Sequence, residues 1–206
     1  MRFKTYFILC LTVISVLSCK EDPEPSQANQ IPEGSTPFTD SDILFVPYTS
    51  QSPVYKDQSD NTLTLNFTER KRTEEYFAWD QTYLTFSSDE TLEVEMRLRY
   101  LQSDVSKKTL ALYMPYYDNS NTLRNNLFEM PIDPTGLETG FFKNIINYYD
   151  TLAIDGSERY DVFEVNELVN TDADKEGAQN YSKIYYNREY GILQMRLKDG
   201  VIWSLQ

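Results

Sequence analysis

The chain has 206 residues, with 19 Lys+Arg against 32 Asp+Glu and no histidine, for a formal net charge of −13. An acidic chain repels phosphate backbones and anionic headgroups, which counts against nucleic acid as a partner. Without an imidazole there is no base for Ser-His-Asp or Cys-His catalysis and no ordinary zinc chemistry, leaving carboxylate chemistry, oxygen-only metal sites and Lys-assisted nucleophiles.

At the N-terminus, Arg2 and Lys4 give a positive start, Tyr6 to Leu17 an apolar run, and Ser18 is a small residue before Cys19. The run is too short to span a bilayer, which needs about 20 apolar residues. Charged, apolar and small-residue regions in that order make a secretory leader. A thiol at the cut adds a nucleophile able to take a diacylglyceryl group as a thioether. The other cysteine, Cys10, has too little apolar sequence before it for the same role. The layout Val16-Leu17-Ser18-Cys19 resembles a bacterial lipoprotein signal. That resemblance implies a signal peptide over residues 1–18 and a lipidated, palmitate-bearing Cys19 as the first mature residue. Two acyl chains hold a protein stably where one does not, at about 0.8 kcal/mol per buried methylene. The mature chain would keep no second thiol for a disulfide.

Lys20-Glu21-Asp22 follows, opening a stretch rich in Pro, Gln, Ser and Glu that runs to about Asp42. The charged triplet is similar to the patch after the cysteine in Bacteroidota-type lipoproteins, which implies an outer-membrane anchor and display on the cell surface, with a periplasm-facing anchor as the alternative. Pro23, Pro25, Pro32 and Pro37 and the lack of an apolar period predict an extended tether over residues 19–42.

Residues 43–206 are long enough for one domain, and two-residue alternation dominates them. Ile43 to Tyr48 reads as a short strand. Leu63, Leu65 and Phe67 alternate with Thr62, Thr64, Asn66 and Thr68, and Tyr83 to Phe86 is a further short run. Leu92, Val94, Met96, Leu98 and Tyr100 share one strand face, with Glu93, Glu95, Arg97 and Arg99 on the other. That opposite face is expected to be solvated, its exposed charge pairs contributing little. Leu110, Leu112 and Met114 continue the pattern. Asp118-Asn119-Ser120-Asn121 and Asp133-Pro134-Thr135-Gly136 read as wide turns. Phe142, Ile145, Ile146 and Tyr149 have helical spacing, but Tyr, Ile and Phe favour sheets, so a strand leading into Tyr148 to Ile154 is preferred. Asp155-Gly156 and Asp199-Gly200 between alternating runs are hairpin signals. The whole predicts a mainly-β fold with little helix: an antiparallel meander forming a curved sheet, open β-barrel or sandwich.

Asp172-Ala173-Asp174-Lys175-Glu176-Gly177 resembles the start of an EF-hand loop, but Lys183 stands where the bidentate Glu is needed, so no metal site is expected. The C-terminal run Lys183 to Leu193, then Lys198 to Leu205, resembles a recurring ending of Bacteroidota lipoproteins: a Tyr-Tyr strand, a turn closing on Tyr190-Gly191, an Asp-Gly hairpin and a Trp-bearing last strand. Gly191 is expected to adopt a backbone shape that a Cβ would forbid. Tyr186 and Tyr190 are expected to cap the core, and Trp203 to belong to it.

These features lead to a non-enzymatic, lipid-anchored binding or accessory module with no cofactor, in contact with the membrane through its anchor and with a glycan, protein or apolar ligand as partner. Two alternatives stay open. One is a carrier holding a lipid or other apolar ligand in a half-open barrel, suggested by a likeness to lipoprotein-carrier folds in the strand-turn-Gly-strand element. The other is a glycosidase-like enzyme with two facing acids. The candidate binding residues are Tyr113, Tyr116 and Tyr117, three of 16 tyrosines, placed by Pro115 and the following turn at a strand end.

Overall fold

A computed structural model describes residues 31–72, 78–118, 120–137, 142–167 and 180–206. Cys10, Cys19, the charged triplet and the EF-hand-like run lie outside these residues. A short helix, α1 (Asp40–Ile43), precedes eleven strands: β1 (Val54–Lys56), β2 (Thr62–Arg72), β3 (Ala78–Phe86), β4 (Asp89–Leu101), β5 (Asp104–Tyr117), β6 (Leu123–Pro131), β7 (Ile146–Ile154), β8 (Ser157–Asn166), β9 (Tyr181–Asn187), β10 (Gly191–Leu197) and β11 (Ile202–Leu205). They make one antiparallel sheet in the order β6-β5-β4-β3-β2-β1-β11-β10-β9-β8-β7, nearly closed into a barrel. Two consecutive meanders, β2 to β6 and β7 to β11, are joined through β1, which pairs with both β2 and β11.

The alternation in β4 explains how the sheet buries one face. Val94, Met96 and Leu98 are fully buried and Tyr100 nearly so. Met96 lies opposite Leu112 and Leu98 opposite Leu110, and these in turn face Phe128 and Met130 across β6. Asp155 (φ 48) and Gly156 (φ 78) are both left-handed, as a two-residue hairpin turn requires. At Asp199-Gly200 only the glycine is left-handed, and the Asp199 carboxylate instead accepts the Val201 N–H at 3.0 Å.

Where β6 approaches the end of β8 and the start of β9, side chains rather than a ladder make the link. The Asn126 amide donates to Glu167 and its oxygen accepts the Tyr181 N–H at 3.1 Å. One buried residue with both a donor and an acceptor thus ties β6 to the far side of the sheet.

The chain entering the sheet departs from expectation. Residues 43–48 do not form a strand. Ile43 ends α1, and residues 44–48 continue as irregular backbone, with Leu44 exposed and Phe45, Val46 and Tyr48 turned into the core, where part of the stretch read as tether packs with them. Phe38, Phe45, Val46 and Tyr48 are buried in the same core as the strands. Phe38 stacks on Trp79 with ring centroids 5.6 Å apart, and Phe45 meets Phe163 edge-on at 5.8 Å. Buried side chains of this size contribute about 1.5–3 kcal/mol each, which a short, periodless segment needs in order to dock.

Buried irregular backbone must also find partners for its carbonyls. Here the sheet's side chains donate. Arg70 places Nη2 2.7 Å from the Ile43 oxygen and Nη1 3.1 Å from the Val46 oxygen, while its Nε holds Asp80 at 2.7 Å. The Tyr186 hydroxyl donates to Phe45 O, Tyr100 to Thr36 O, and Lys108 to Pro37 O. Burial keeps the Asp80 carboxyl above its ordinary value even with Arg70 beside it. Arg70→Ala would take the ion-pair partner from Asp80 and the side-chain donor from both carbonyls, of which Ile43 O keeps only the Val46 N–H at 3.2 Å, and the expected loss of stability is about 3–5 kcal/mol, measured by urea unfolding. A loss below about 1 kcal/mol, the level of an exposed pair, would show that Arg70 does not hold this segment.

Candidate functional site

The tyrosines singled out from the sequence do not form one patch. β5 alternates, so Tyr113 and Tyr117 point to the outer face while Tyr116 points inward and is 1% exposed. The Tyr116 hydroxyl has no hydrogen-bond partner among the described residues. On the outside, Tyr113 accepts a hydrogen bond from Arg99 at 3.0 Å, and the Arg97 guanidinium sits 5.1 Å from its ring centroid. Tyr117 meets the Thr91 hydroxyl at 3.1 Å. A ring face occupied by a guanidinium is not free to stack on a ligand.

The charged face of β4 is more ordered than a solvated face. Arg97 pairs with Glu95 at 2.6 Å and Arg99 with Glu129 at 3.0 Å. Glu129, only 3% exposed, also accepts from Thr109 at 2.7 Å. Long polar side chains lie flat over this half of the barrel and bury Ala111 beneath them. The opposite half has a similar layer: Glu164 accepts from Lys183, Asn147 and Tyr149, beside the buried Val162, Tyr185 and Leu193.

Three clefts stand out. One of about 300 Å³ lies between residues 106–108 and 131–135 and holds two acids, Asp42 and Asp133. Both are engaged structurally. Asp42 accepts from Lys108 at 2.7 Å, and Asp133 caps a 3-10 turn by accepting the Thr135 N–H at 2.9 Å. A second cleft, of about 450 Å³, runs from the 47–54 loop to Leu205, with Tyr48 and Tyr190 in its wall. Tyr190 is thus half-exposed rather than a cap on the core, whereas Tyr186 is buried and Trp203 packs against the core as expected. Gly191 (φ +78) begins β10 beside this cleft, and a Cβ there would lie 2.2 Å from the Tyr48 hydroxyl.

The third cleft, of about 230 Å³, has the most distinctive chemistry. Four parts of the fold converge on it: Phe45 from the entering segment, Ile132 and Pro134 from the turn after β6, Tyr148, Asp161 and Phe163 from the β7–β8 hairpin, and Arg188 after β9. Phe45, Phe163, Ile132 and Pro134 supply an apolar floor. Around it, the Tyr148 hydroxyl donates to Asp161 at 2.6 Å, and Arg188 donates through Nη2 to the Ser41 carbonyl at 2.8 Å. Asp161 is left-handed (φ 53), a conformation that Asp tolerates better than most residues. Mouths of β-barrels are frequent binding sites, typically with an apolar lining and a few placed polar groups. No metal-binding group of three or more His, Cys, Asp or Glu occurs among the described residues. The sequence reading missed this cleft because its lining is drawn from positions 45 to 188, with no local motif to join them.

No protein-family model, curated protein or solved structure matches the chain.

The hydrogen bond to Asp161, together with burial, pushes the Tyr148 hydroxyl up to about 12. A carboxylate accepting the phenolic proton favours the neutral phenol, so removing its charge must lower the pKa. In Asp161→Asn, Tyr148 is expected to ionise nearer its ordinary value of 10.0, read by NMR titration of ring-labelled tyrosine. An unchanged titration would mean that Asp161 and Tyr148 are not paired at the mouth.

Proposed function

We propose that the protein is a lipid-anchored binding module of the bacterial envelope, held in the outer membrane through Cys19 and displayed at the cell surface. The leader with a cysteine at its cut supports the anchor. The β-barrel-like fold is compatible with binding, and the observation that carries the reading is the mouth cleft, where an apolar floor meets unlike charges from separate elements. The interior speaks for a ligand at the mouth over one carried inside. Phe38, Phe45, Tyr55, Tyr186, Phe128 and the strand leucines and methionines pack into a single cluster within it, where a carrier needs open apolar space. The two acids of the neighbouring cleft are committed to Lys108 and Thr135, so the reading is of a binder rather than a carboxylate enzyme.

Anchoring and binding are tested separately. Cells fed labelled palmitate are expected to label the wild-type protein and not Cys19→Ser, with the variant leaving the membrane fraction. Labelling that persists in the variant would remove the anchor assignment. For binding, an NMR fragment screen of the full chain in mild detergent is expected to shift Phe45, Ile132, Tyr148 and Phe163 together. Hits mapping instead to Tyr113 and Tyr117, or no hits at the mouth, would refute the cleft as the site.

A further inference from the structure

The strongest unexplained feature of the mouth cleft is its pair of opposite charges. Arg188 and Asp161 line the same small space, yet no ion pair joins them and neither has another counter-ion among the described residues. Arg188 uses one guanidinium nitrogen on Ser41, and Asp161 uses one carboxylate oxygen on Tyr148. Each therefore keeps further hydrogen-bonding capacity, since a guanidinium carries five donors and a carboxylate about four acceptor sites. The same cleft is floored by Phe45, Phe163 and Ile132.

Resting on the reading of this cleft as the binding site, we propose that it takes a zwitterion with an apolar body, of the size of a free α-amino acid with an aliphatic or aromatic side chain. The ligand carboxylate pairs with Arg188, whose planar fork matches two carboxylate oxygens. The ligand ammonium meets the free oxygen of Asp161, and the side chain covers the floor. The cleft's volume of about 230 Å³ lies below the range of about 300–1,000 Å³ that accommodates drug-sized ligands, which sets the scale at a single residue. Charge complementarity also explains the choice among ligand types. A simple anion would leave Asp161 facing it as a like charge, a simple cation would do so to Arg188, and a neutral apolar compound would desolvate both without pairing either. Tyr148 fits the same design: its hydroxyl donates to one Asp161 oxygen, leaving the other oxygen for the ligand.

The test uses isothermal titration of the full chain in mild detergent with four probes: L-phenylalanine, N-acetyl-L-phenylalanine, L-phenylalaninamide and p-cresol. L-phenylalanine is expected to bind, and each of the other three to bind at least tenfold more weakly. The variants should cross over. Arg188→Gln weakens the free amino acid and the N-acetyl acid but not the amide. Asp161→Asn, which keeps a left-handed backbone accessible, weakens the free amino acid and the amide but not the N-acetyl acid. If Arg188→Gln does not fold without its bond to Ser41, Arg188→Lys retains a cation and is expected to keep the preference for the acid over the amide. Equal affinity for p-cresol and phenylalanine, or variants that change all probes alike, overturns the proposal. So does the lack of any phenylalanine heat at millimolar concentration. The two readings fail differently: neutral fragments that shift Phe45 and Phe163 while the amino acid does not would sink the zwitterion and leave the cleft as the binding site.

Discussion

Irregular backbone inside a β-sheet has carbonyls and no ladder to receive them, and the segment from Thr36 to Tyr48 meets that constraint with donors borrowed from the strands. Arg70, Tyr100, Lys108, Tyr186 and Arg188 each reach a main-chain oxygen of this segment. The last residue of the segment joins the exchange in the opposite sense: the Tyr48 hydroxyl accepts the Ile192 N–H at 2.7 Å, while Tyr55 donates to the Ile192 oxygen at 3.0 Å. Gly191 belongs to the same arrangement. Its neighbouring space is taken by the Tyr48 ring, and its positive φ starts the strand that carries Ile192. A sheet bent this far needs its concave side filled, and the segment fills it with Phe38, Phe45, Val46 and Tyr48.

The regular parts of this fold were legible because a period of two in the sequence is a statement about burial. Leu92 to Tyr100 alternates in the sequence and in the sheet alike, and the Asp-Gly pairs mark hairpins because both residues tolerate a left-handed backbone. The entering segment was not legible for the opposite reason. Pro32, Pro37 and a polar composition read as tether, and its stabilising contacts join residues from about 24 to 147 positions apart. The run from Ile43 to Tyr48 has apolar residues enough for a strand, but no strand pairs with its backbone, whose main-chain bonds are only local turn bonds. Side-chain donors pair with it instead.

The tyrosine cluster shows a rule set aside. Period two places Tyr113 and Tyr117 on one face of β5 and Tyr116 on the other, and that parity was already present in the sequence. The outer face also differs from the solvated surface that its Glu and Arg residues suggest. Arg97, Arg99, Glu95 and Glu129 pair within a layer that covers Tyr113 and Ala111. Charges spent on one another in this way have little left for a ligand, and a flat sheet face offers no concavity to exclude water from the contact.

The mouth cleft differs on both counts, and its shape follows from the entering segment. Phe45 forms part of its floor, and Ser41 holds Arg188 at its rim. The donors that satisfy the segment's carbonyls therefore also set the position of two groups in the site. Arg70 binds the carbonyls on either side of Phe45 without touching the cleft, so it acts on the site only by fixing the backbone that presents that ring. A ligand that pairs with Arg188 and covers Phe45 would be gripping the segment and the β7–β8 hairpin together. Among the described residues this segment is also the first packed part of the chain. Occupancy of the mouth would then add to the stability of this segment's docking on the sheet, by the same linkage that makes any ligand of a folded state stabilise it.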